Sequence, residues 1–141
     1  MIVGLLMATL GSIVLVIVGK YSYEAALPES PGRVIVAFLL STFSFLAIGV
    51  LLASVTRNAR AAQAIGMIAF FPMWLLSGAG PPPSVMSDGM QRVADLLPLT
   101  YVVQALQDPW LGVASSAIDF IVLITLLVVA GVLSVRMSRS V

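Results

Sequence analysis

The sequence predicts an all-α, polytopic membrane protein. It has about four transmembrane helices and an extracellular re-entrant or interfacial helical hairpin between the third and the fourth. Three observations carry this. Of 141 residues, 60% are hydrophobic and 9% charged, and the mean hydropathy is +1.12, whereas soluble domains carry about 25% charge. Apolar runs recur at residues 2–19, 34–55, 61–77 and 117–134. At about 20 residues per span they leave no room for a soluble domain. Between the last two runs, Phe70 to Trp110 mixes apolar pieces with the breakers Gly78, Gly80, Pro81, Pro82, Pro83 and Pro98. That stretch is too apolar for a soluble linker and too interrupted for a span.

The first run, Ile2 to Gly19, is relieved only by Thr9, Ser12 and glycines. A signal peptide is the competing reading, with Ala25 and Ala26 near a cleavage site, but no basic residue precedes the run. Lys20 to Arg33 is a short polar connection. Tyr21 and Tyr23 stand where interfacial aromatics belong, and Pro28 and Pro31 prevent a continuous helix.

Val34 to Val55 is the clearest span. Small residues (Ser41, Thr42, Ser44, Ala47, Gly49) run down it, and Ala47 and Ala53, with Gly49 between them, offer a close helix contact. Thr56 to Ala62 is a tight basic turn. The third span is short, with Pro72 near its far end and Trp74 close to an interface. After the excursion at residues 81–110, the fourth span runs from Ala117 to Ser134.

Charge sets the expected topology. The turn after the second span and the C-terminal tail hold Arg57, Arg60, Arg136 and Arg139 and no acid. The other side holds Lys20, Arg33 and Arg92 together with Glu24, Glu29, Asp88, Asp95 and Asp108. The positive-inside rule makes the first group cytoplasmic, with both termini inside and the excursion outside.

Little in the chain offers chemistry. Cysteine and histidine are absent, which removes disulfides, thiol nucleophiles and the usual zinc and haem ligand sets. No basic patch suits nucleic acid. Asp88, Arg92 and Asp95 share one side of a short helix by their spacing of four and three, with Asp88 and Arg92 as an i,i+4 pair. A solvated interfacial face explains them; alternatively Asp95 pairs with a partner's charge or helps to cap the outer mouth. Asp119 sits two residues into the fourth run, where the helix dipole favours an acid and water is close. The other reading is a functional charge at the membrane edge. Ser41, Thr42, Ser44 and Thr125 can all bond back to their own helices, and no catalytic constellation emerges.

The sequence resembles the permease domain of type-2 ABC exporters. Three features carry the resemblance: a span ending in small residues before a basic turn (Gly49 to Arg57); Pro72 followed by Leu76-Ser77-Gly78 and then a proline, Pro81; and an outer helical segment closed by Leu97-Pro98-Leu99-Thr100-Tyr101, then Ala105-Leu106. The resemblance implies a partial domain, its four spans matching the third to sixth of six. The first two spans and the segment that contacts the ATPase would lie outside it. It implies no cofactor in this chain, a separate ABC ATPase subunit, and a second permease chain as homo- or heterodimer in a bacterial cytoplasmic membrane. The outer helices would close the extracellular mouth, and Ser77 and Gly78 would let the chain turn sharply beneath them. A glycine-rich phosphate loop with lysine is absent, so hydrolysis falls to the partner. The alternative is a small accessory or structural membrane protein that transports nothing.

Overall fold

The computed structural model describes residues 2–56 and 58–139. Arg57 lies outside them, as does the side chain of Arg139. Six α-helices follow in order: α1 (Ile2–Tyr23), α2 (Pro31–Thr56), α3 (Ala59–Leu76), α4 (Asp88–Ala94), α5 (Pro98–Trp110) and α6 (Ala117–Arg139), with one 3₁₀ turn at Pro83–Val85 before α4. Four of them, α1, α2, α3 and α6, are long and apolar enough to cross a membrane. In lipid, a helix is the form in which one segment satisfies all of its own backbone polar groups, and these sequences allow it.

The helix ends follow local chemistry. Helix α1 runs on through Lys20 to Tyr23, past the apolar run, because nothing in that polar turn breaks it. Pro31 opens α2, where a missing N–H costs nothing. Asn58 caps α3, its Oδ1 accepting from Arg60 N at 3.0 Å, so the connection between α2 and α3 is only residues 57–58. Pro72 lies inside α3.

The bundle is held chiefly by one seam. Helix α2 presents Ala37, Ser41, Ser44 and Ala47, all buried, to its neighbours. The Ser44 hydroxyl donates to Leu40 O at 2.7 Å and across the seam to Leu123 O at 3.0 Å. The Ser134 hydroxyl donates to Ala130 O at 2.7 Å and lies 3.4 Å from Ala47 O. Residue numbers rise together along the two helices, so α2 and α6 run parallel. Where α5 joins them, Ala37, Val102, Ala105 and Leu123 form the core, flanked by Leu40, Phe45, Leu99, Leu106 and Phe120. Lipid is as apolar as leucine, so the seam rests on close van der Waals approach and interhelical hydrogen bonds.

The close-contact stripe differs from the expected one. Ala47 is in it, but Gly49 and Ala53 are exposed. The stripe follows the helical repeat through residues 37, 41, 44 and 47, and positions two and six beyond Ala47 point elsewhere. Helices α1 and α3 bury no residue at all; Gly4 of α1 takes the Leu46 side chain against its backbone.

Candidate functional site

The parallel course of α2 and α6 sorts the polar residues by end. Arg60, at the start of α3, and Arg136, near the end of α6, lie at one end. Residues 24–30, the excursion and the start of α6 lie at the other.

The excursion is a compact unit built on backbone hydrogen bonding. Helix α3 stops at Ser77, whose N–H donates to Met73 O at 2.9 Å and whose hydroxyl donates to Trp74 O at 3.2 Å. Gly78 then adopts φ 84°, a left-handed conformation that closes helices and that side chains rarely take. Pro81 to Pro83 lead into the 3₁₀ turn. The Gln91 amide donates to Pro83 O at 3.0 Å and Met86 O at 3.2 Å, tying that turn to α4. Ser87 caps α4 from its side chain to Met90 N at 3.4 Å. Asp88 in the first turn and Arg92 in the last each sit where the helix dipole favours their charge. They are exposed and make no ion pair with each other.

The segment from Leu97 to Tyr101 joins α4 to α5. Pro98 opens α5. The Thr100 hydroxyl, buried, donates to Ala94 O at 2.6 Å, and the Tyr101 hydroxyl donates to Asp95 O at 2.7 Å. Thus two side chains of α5 reach back to carbonyls at the C-terminal end of α4, where partners from within the helix run out; Ala94 O also accepts from Leu97 N at 2.9 Å. Asp95 offers its backbone oxygen here, while its side chain stays exposed.

Asp119 lies in the first turn of α6 as expected, but it is 2% exposed, and its Oδ2 is sealed without a hydrogen-bond partner. Proximity to the helix start did not bring water, because α6 packs its first turn onto the bundle. Asp108, of like charge, acts on it electrostatically. Ser41 likewise keeps a buried hydroxyl without a partner, whereas Thr125 bonds back to Ile121 O at 2.8 Å. Among the described residues no group of His, Cys, Asp or Glu could hold a metal ion.

Three joints were not singled out from the sequence. Ser44 bonds across the seam. The Trp110 indole N–H donates to Ala26 O at 3.1 Å, and Glu29 packs against Gly112. Each depends on residues about 80 apart in the chain, and only the small size of Ser44 and the polar N–H of Trp110 hinted at two of them.

Helices of spanning length, one tight seam and a broken helical unit at one end define a multi-pass membrane protein whose polar groups join backbone segments. Residues 1–111 match the ABC-2 type transporter family. That is more than half of the chain, which therefore belongs to this family of ABC transporter permeases. The match takes in α1 to α5. Membrane components of this family carry no catalytic activity of their own. No curated protein and no solved structure matches the chain.

Proposed function

We propose that the chain is a membrane-spanning subunit of an ATP-driven ABC exporter, forming part of the substrate path beside a separate ATPase subunit and a second permease chain. The single observation that carries this reading is the family match over residues 1–111. In this proposal the chain corresponds to the C-terminal part of the family's domain. It lies in a bacterial cytoplasmic membrane with both termini in the cytoplasm, and the excursion closes the outer mouth. The basic residues Arg57, Arg60, Arg136 and Arg139 support that orientation. Pro72, Ser77, Gly78 and Pro81 shape the turn into the excursion, and Pro98, Thr100 and Tyr101 hold its two helices as a unit that moves together. Asp88, Arg92 and Asp95 are then the polar surface that this unit turns towards water or a partner.

The test is purification of the tagged chain from its native membrane in mild detergent, with identification of what accompanies it. An ATPase subunit in stoichiometric amount is the expected result. Recovery without an ATPase or a second permease would overturn the reading and leave an accessory membrane protein.

A further inference from the structure

Residues 24–30 cross the excursion end of the bundle and finish against the C-terminus of α5. The Glu29 N–H donates to Trp110 O at 3.3 Å and the Ser30 N–H to Pro109 O at 3.1 Å. In return, the Trp110 indole N–H donates to Ala26 O at 3.1 Å. The Glu29 carboxylate occupies the space that a Cβ on Gly112 would need. This strap is fastened largely by hydrogen bonds: Ala25, Ala26, Leu27 and Glu29 are exposed, Pro28, Ser30 and Trp110 are half-buried, and Pro109, which accepts from Ser30, is fully buried.

Left-handed backbone stands at Glu24, φ 51°, where the strap begins, and at Gly112, φ 72°, just past α5. The first ends α1, where the Ala25 N–H donates back to Gly19 O at 3.1 Å, and both let the chain turn sharply into the joint. The α2–α6 seam is the opposite case: Ala37, Ser44 and Leu123 are wholly buried. Segments held by exposed hydrogen bonds with little buried area lie at the low end of local stability and open as cooperative units.

We infer that the strap is a releasable clasp on the end of α5, opening and closing as one unit while the seam stays shut, with Trp110 as the positioning residue that sets its closed population. Release frees the C-terminal end of α5, and α4 is coupled to α5 through Thr100 and Tyr101. The clasp is a property of this chain by itself and holds whether or not the exporter reading does.

Hydrogen exchange read by mass spectrometry on the full chain in lipid nanodiscs tests it. Trp110→Phe removes the indole donor, so exchange at the Glu29 and Ser30 amides rises together by about five-fold, the worth of one net hydrogen bond. Amides beside Ser44 and Leu123 keep their rates. Unchanged Glu29 and Ser30 rates in Trp110→Phe would overturn the inference. An equal rise along the seam would overturn it as well.

Discussion

Ser44 separates two ways in which the seam is stabilised. Its side chain is wholly buried, and its hydroxyl donates both to its own helix and to Leu123 O across the interface. Ser44→Ala removes the interhelical bond but strands no backbone group, because the Leu40 and Leu123 carbonyls remain in their own helical ladders. Interhelical hydrogen bonds in membrane proteins average about 0.6 kcal/mol, with a maximum of about 1.7, so the alanine variant should lose about 0.6 kcal/mol. Ser44→Leu loses the same bond and also forces three further carbons into a contact that now holds a carbonyl oxygen 3.0 Å from the serine oxygen. Overpacking costs about 1–3 kcal/mol, which gives a total loss of about 2–4 kcal/mol. Reversible unfolding in mixed micelles of rising sodium dodecyl sulfate fraction, followed by helix content, reads both. If the leucine variant is as stable as the alanine variant, close approach is not what holds α2 to α6, and the reasoning fails.

The turn between α4 and α5 gives a second test. Ala94 O accepts from both the Thr100 hydroxyl and Leu97 N, so Thr100→Val should cost only about 1 kcal/mol in the same unfolding assay, and Thr100→Ser should restore it. Gly78→Ala places a side chain at φ 84° and should cost about 1–2 kcal/mol; a variant as stable as the parent would mean that the left-handed turn is dispensable. Topology is read by thiol labelling, since the chain has no cysteine of its own. Gly89→Cys, in open space on α4, should react with an impermeant maleimide in intact cells, and Asn58→Cys only after permeabilisation. The reverse pattern would invert the orientation proposed from the arginines.

The helices were legible because hydropathy over some twenty residues is a strong signal, and Gly78, Pro98 and the three prolines mark where it stops. Which helix lies against which was not legible. Any membrane helix carries small residues, and only the contact with Leu123 and Ser134 distinguishes Ser44 and Ala47 from Gly49 and Ala53. The pieces of the turn motif were visible, but not that Thr100 and Tyr101 serve the carbonyl end of α4, which requires knowing how sharply α5 folds back. Asp119 shows the limit most clearly. An acid in the first turn of a helix reads as solvated, and its burial depends on neighbours that local sequence does not name.

Helix lengths set how far along the bundle the excursion begins. Helix α2 has 26 residues and α3 has 18; at a rise of about 1.5 Å per residue they measure about 39 and 27 Å. The two share a level at the connection through residues 57–58, so α3 ends about 12 Å short, along its axis, of where α2 begins. A hydrocarbon layer is about 30 Å thick, so a spanning α3 has no length to spare, and the turn that ends it is one that satisfies its own backbone. Ser77 does this with its N–H on Met73 O and its hydroxyl within 3.4 Å of Ala79 N, and Gly80 settles beneath the ring of Trp74. Under the proposed topology a thicker bilayer would draw this turn towards the hydrocarbon and a thinner one would lift it towards water, which would make membrane thickness a variable acting on the excursion.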